Sequence, residues 1–209
     1  MARILISTFG YDEGKVFRAL RWLSYDRLVL LAGSDSLRKP GFRKLQDAER
    51  AAGGEVEVVR VDPFDFRSCF EGACGAIERN RRAENEVRLN VSGGTKVLAD
   101  AALLAAYQEG VEVWHCEDKP LRLPVLRGVR FVDSFSEAER AALRSLGGPT
   151  LVGKLVEQLR AEGMREASVN RALVSLRQRG LVRMTIQRGN AVVSVEPRSE
   201  WFVRGLLGQ

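Results

Sequence analysis

The sequence predicts an α/β protein: an N-terminal, doubly wound, mostly parallel sheet covered by helices, followed by a smaller winged helix-turn-helix domain. Three observations carry this. Strand and helix patterns alternate through the first 118 residues. Two of those strands end abruptly in polar, glycine-containing turns that open into helices, one around Gly10 and one at Gly93-Gly94. Beyond residue 134 the alternation gives way to three helical patterns and a pair of alternating strands.

Residues 3–8 read as an apolar strand, and 13–24 as a helix with Val16, Leu20 and Leu23 on one face. An apolar strand follows at 27–32, then a helix at 41–52 stopped by Gly53-Gly54. Residues 55–61 form the third strand, and 65–80 a helix with Cys69, Ala73 and Ile77 on one side. The fourth strand, 87–91, is followed by a helix at 95–109 and a fifth strand at 111–116. Successive β–α units of this kind imply a parallel sheet with helices on its faces. Residues 121–126 and 129–132 flank Arg127-Gly128 and read as a small hairpin or an edge strand. These elements make up a first domain, 1–134.

The second domain, 135–209, opens at Ser136-Glu137-Ala138-Glu139, which has the order of a helix start with acids in its first turn. That helix runs to Leu146. Pro149-Thr150 starts a second helix with Val152, Leu155, Val156 and Leu159 apolar, ended by Gly163. A third, 166–178, buries Val169, Ala172, Leu173 and Leu176. Residues 181–187 and 191–195 alternate around Arg188-Gly189-Asn190 and predict a β-hairpin. Trp201, Phe202, Leu206 and Leu207 suggest a last short helix that packs back or meets a second subunit.

Composition narrows the function. No apolar run approaches the roughly 18 residues of a membrane span, which predicts a soluble, cytoplasmic protein with no membrane partner. Three cysteines without a close pair argue against a disulfide framework and a zinc site, and the single histidine, His115, leaves little for a His-based metal site or catalytic triad. No metal is expected. The net charge of +6 is uneven: residues 1–134 hold 21 Lys/Arg against 20 Asp/Glu, and residues 135–209 hold 12 against 7. The last third is therefore the part expected to meet a polyanion.

The run Asn90-Val91-Ser92-Gly93-Gly94-Thr95-Lys96 is the most informative segment. Paired glycines let backbone approach a ligand, Thr95 can cap the new helix, and the free N–H groups there with Lys96 suit an anion such as phosphate. Ser7-Thr8-Phe9-Gly10-Tyr11-Asp12-Glu13-Gly14 ends the first strand in the same manner. In the strand order 3-2-1-4-5, strands one and four are neighbours where the order reverses, so both turns border one crevice beyond the carboxyl ends. The first turn is no Walker A motif, since three residues separate its glycines and Val16 follows Lys15, and no GxGxxG fingerprint follows strand one. Thr8, Ser92, Thr95 and Lys96 supply hydroxyls and a cation, and Phe9 and Tyr11 can stack on a base.

The strand–"NVSGGTK"–Ala-rich helix, together with strand–"STFGYDE", resembles the CARF (CRISPR-associated Rossmann-fold) domain, and its pairing with a winged helix resembles the archaeal CARF–winged-helix transcription regulators. The resemblance implies an antiviral regulator without a conventional cofactor, binding a cyclic oligoadenylate, typically cyclic tetra-adenylate, across a homodimer. It implies a pocket of Thr8, Phe9, Gly10, Tyr11, Ser92, Gly93, Gly94, Thr95 and Lys96. A two-fold symmetric ring suits a site on a C2 axis. An alternative within the same resemblance is a metal-independent ring nuclease, in which Lys96 with Ser7 or Ser92 stabilises charge as a ribose 2′-hydroxyl attacks the neighbouring phosphate.

For the second domain, the third helix is expected to enter the major groove of double-stranded DNA. Ser168, Asn170, Arg171 and Ser175 face away from its apolar stripe. Arg171 suits guanine, Asn170 suits adenine, and Arg188 at the wing tip can reach a phosphate or the minor groove.

Overall fold

A computed structural model describes residues 1–81 and 85–207, with side chains described as far as residue 203. The chain divides into two compact units, Met1–Arg130 and Phe131–Gln209.

In the first unit β1 (Arg3–Phe9), β2 (Arg27–Ala32), β3 (Val56–Arg60), β4 (Glu86–Asn90), β5 (Glu112–Cys116) and β6 (Pro120–Arg122) form a six-stranded sheet in the order β3-β2-β1-β4-β5-β6. The first five pair in parallel, and β6 joins β5 antiparallel at the edge. β1 and β2 are buried along nearly their whole length because helices cover both faces, which is why they read as continuous apolar runs rather than alternations. The helices are α1 (Gly14–Trp22), α2 (Ser34–Leu37), α3 (Pro40–Ala51), α4 (Phe66–Arg81) and α5 (Lys96–Glu109). α5 packs its alanines closely: Ala101, Ala102, Ala105 and Ala106 have no exposed surface. Gly110, at φ 62°, ends it in the left-handed conformation. All three cysteines are free thiols, with Cys69 and Cys116 buried.

Two local expectations change here. The turn after β2 contains a short helix, α2, that no periodicity announces. Of the segments around Arg127-Gly128, only Pro120–Arg122 is a strand. Gly128 donates to the Gly110 carbonyl (2.8 Å), which draws the chain under the end of α5 and off the sheet edge, and a 3-10 turn at Phe131–Ser134 follows.

In the second unit α6 (Glu137–Ser145), β7 (Thr150–Leu151), α7 (Val152–Ala161), α8 (Glu166–Gln178), β8 (Val182–Gln187), β9 (Asn190–Val195) and α9 (Glu200–Leu207) follow in that order. The strands form an antiparallel sheet ordered β7-β9-β8. Thr150-Leu151 pairs with Val193 and Val192, so these residues are a strand rather than the start of a helix, and α7 begins at Val152. The core gathers Leu143, Leu155, Leu159, Val169, Leu173, Leu176, Val193 and Val203. Phe131 belongs to this unit, with its ring 5.4 Å from that of Phe135 and 5.8 Å from that of Phe202. The side chains of Leu206 and Leu207 lie outside the described residues.

The start of α6 is a capping box: Ser136 accepts from the Glu139 N–H, and Glu139 accepts from the Ser136 N–H. Burial alone would raise the Glu139 carboxyl. Hydrogen bonds from Ser175 and Ser136 and the charge of Arg179 outweigh it and hold the group below the ordinary glutamate value. Arg188 and Gly189, both at positive φ, form the two-residue corner of the β8–β9 hairpin, and Asn190 already opens β9. Among the described residues no helix is long and apolar enough to cross a membrane.

Candidate functional site

The turns after β1 and β4 meet backbone to backbone. A Cβ built on Gly10 would lie 2.8 Å from the Gly94 Cα, and one built on Gly93 would lie 2.4 Å from the Thr8 carbonyl oxygen. Only glycine permits this approach. Gly94, at φ 80°, also needs the left-handed conformation. Parallel pairing of β1 with β4 brings the two turns together at the carboxyl edge, where the connections from β1 and β4 leave in opposite directions along the sheet.

Beneath the contact lies a sealed polar cluster. Asn90 has no exposed surface; its Nδ2 donates to Ser7 Oγ (2.8 Å), and its Oδ1 accepts from the Ser92 hydroxyl. Ser92 Oγ in turn accepts from the Cys116 N–H, and Thr8 Oγ1 donates to the Gly93 carbonyl (2.8 Å). These bonds tie the ends of β1, β4 and β5 together.

Beside the contact a cavity of about 750 Å³ opens at the carboxyl ends of β1, β2 and β3. Of the sequence-predicted set it is bordered by Phe9, Gly10, Tyr11, Gly94 and Thr95. Tyr11 is 66% exposed, and the Lys39 ammonium lies over one face of its ring, 4.9 Å from the centroid. Thr95 caps α5 by accepting from the Leu98 N–H (3.1 Å), which leaves the Lys96 and Val97 N–H groups without an acceptor in the helix. Lys96 is exposed in that first turn, outside the cavity lining, and has no ion-pair partner among the described residues.

Four expectations are corrected by this geometry. Ser7, Thr8 and Ser92 are buried, and their hydroxyls are engaged inside the protein, so they shape the turns instead of presenting oxygens to a ligand. Phe9 is 1% exposed and packs its ring against Phe42, which leaves no open face for stacking.

Sequence reasoning missed the far half of the cavity. Gly33, Ser34, Asp35 and Ser36 follow β2, Arg60 ends β3, and Asp62, Pro63 and Phe64 follow it. Arg60 has no ion-pair partner among the described residues, whereas Lys15 is held by Glu117 (3.2 Å). Lys15 in turn holds the Glu117 carboxyl below the usual glutamate value, chiefly through that hydrogen bond. The signal was the strand order itself, because the ends of β2 and β3 necessarily lie on the same edge as that of β1.

In the second unit Asn170 and Arg171 are exposed on α8, while Ser168 and Ser175 are half-buried. Ser168, Arg171 and Ser175 line a cleft of about 730 Å³ with the first turn of α6 and the α7–α8 turn. Arg188 is exposed at the hairpin corner, at φ 49°.

A mostly parallel sheet with two touching glycine turns at its carboxyl edge defines this as an α/β, Rossmann-like fold. Residues 3–119 match the family described as "HFX_2341_N:-like, N-terminal", and the chain belongs to that family. No curated protein matches it. Three solved structures share its fold at TM-scores of 0.51. Protein VC1899 from Vibrio cholerae is 11% identical over 98% of this chain and 65% of its own. A type III CRISPR defence DNA nuclease activated by cyclic oligoadenylate is 18% identical, over 99% of this chain and 33% of its own. Can2 from Sulfobacillus thermosulfidooxidans, in complex with cyclic tetra-adenylate, is 15% identical over 99% of this chain and 62% of its own. This chain thus spans less than two thirds of the length of each.

Proposed function

We propose that this protein is a CRISPR-associated transcription regulator that binds a cyclic oligoadenylate through a CARF domain, the first unit, and double-stranded DNA through a winged helix-turn-helix domain, the second. The observation that carries the first half is the contact of Gly10 with Gly94 at the mouth of the cavity. It sets the unbonded amides at the start of α5, with Lys96 in the same turn, close to the exposed Tyr11, which suits a ring of adenosine phosphates. The shared fold of proteins solved with, or activated by, such rings supports the reading. Support for a homodimer comes from α5, which exposes the apolar side chains Leu104 (49%) and Tyr107 (50%), a surface suited to a second copy.

The order helix, short strand, two helices and hairpin supports the winged-helix reading, as do Asn170 and Arg171, exposed on α8 in the positively charged part of the chain. Ring cleavage has less support, because Ser7 and Ser92 are enclosed and only Lys96 of the three stands free.

Selection of duplexes from a random library by the full chain, with and without cyclic tetra-adenylate, tests the DNA half. The expected result is a two-fold repeated site whose recovery changes with the ligand, since the ring acts only by favouring one arrangement of the protein over another. Enrichment of no sequence under either condition would exclude the DNA reading.

A further inference from the structure

α8 buries Val169, Ala172, Leu173 and Leu176. At about 100° per residue, the direction opposite that stripe passes through Ala167, Arg171, Val174 and Gln178. Val174 lies at the centre of this outer face and is 54% exposed. Arg171 Nε donates to the Ala167 carbonyl (3.3 Å), which directs the guanidinium stem along the helix toward its N-terminus and leaves the valine uncovered. On the hairpin, Ile186 is 81% exposed. The two elements used by the DNA reading therefore each present one apolar side chain. The surface around them is cationic: residues 135–209 hold 12 Lys/Arg against 7 Asp/Glu. A polyanion that offers an apolar group between its phosphates fits this face, and the C5 methyl of thymine in the major groove is such a group.

We propose that Val174 reads the C5 methyl of a thymine, one base step from the base contacted by Arg171. Three residues of helix rise about 4.5 Å and base pairs stack about 3.4 Å apart, so the two side chains fall on neighbouring pairs. Ser168 and Ser175, on the flank of the helix beside the cleft, contribute less to base choice. The assignment rests on the DNA reading above.

The test takes the duplex selected by the full chain and replaces its thymines with deoxyuridine one at a time, removing only a methyl group. At one thymine the wild-type protein will lose about fourfold in affinity, the worth of one buried methyl. Val174→Ala will bind the thymine and uracil duplexes within about twofold of each other, while Val174→Thr, which keeps one γ-methyl, retains the discrimination. Equal melting temperatures for the three proteins show that an exposed position was changed without loss of fold. If a sequence is selected but uracil is neutral at every position, or the discrimination survives in Val174→Ala, the assignment to Val174 fails while the DNA reading stands. If no sequence is selected, both fail, and the face is left to a protein partner.

Discussion

Gly93→Ala will destabilise the first unit and abolish ligand binding together. The new Cβ would lie 2.4 Å from the Thr8 carbonyl oxygen and 3.3 Å from its carbon, both backbone atoms at the end of a fully buried strand. No side-chain rotation relieves that clash, so β1 and the β4 turn must separate. We expect a cost of about 3 kcal/mol, at the upper end for overpacking, seen as a fall of about 10 °C in the melting temperature of this unit. Affinity for cyclic tetra-adenylate falls at least about 100-fold, because the amides after Gly94 no longer face the Gly10 turn. Gly75→Ala is the matched control. Its Cβ meets only the mobile end of Arg79, at 3.2 Å, in the middle of α4, and it should leave binding unchanged and stability equal or higher. Equal behaviour of the two variants would mean that the close approach is not required.

Asn90→Ala will have the second large effect, through the sealed polar cluster. The substitution leaves Ser7 Oγ without its donor and the Ser92 hydroxyl and N–H without their acceptor, all in a region closed to water. Unpaired buried polar groups cost about 1–3 kcal/mol each, so the loss should be about 3 kcal/mol after partial relaxation. Ser7→Ala removes only the Asn90 bond and the weak bond to the Thr8 carbonyl, and should cost about a third as much. Thermal unfolding of the three proteins checks the order. Equal melting temperatures for Asn90→Ala and the wild type would show that the cluster is not what holds the turns.

Why some of this was legible in the sequence and some was not follows from the residues. Given the common strand order, the meeting of the turns could be anticipated because residues 4–6 and 28–32 are apolar runs and glycines follow β1 and β4 within three residues. The roles of Ser7, Thr8, Phe9 and Ser92 could not. A strand buried on both faces has no alternation to tell which side chains emerge, so polar residues at its end read as ligand groups when they are internal ties. The turn after β2 carries only a single glycine, Gly33, and the turn after β3 carries none, so Arg60 and Asp62 went unread although the topology places them on the cavity. Thr150-Leu151, a strand of two residues, is too short to show a period. On α8 the buried stripe was clear, but Val174 on the outward face carries no polar group to mark it as a reader of bases.

The measurement that tests the account most directly is a calorimetric titration of the full chain with cyclic tetra-adenylate, with the ligand examined by chromatography afterwards. The account predicts saturation at one ring for two chains, with the ring recovered intact and the heat lost in Gly93→Ala. The absence of binding by either cyclic tetra-adenylate or cyclic hexa-adenylate would contradict it.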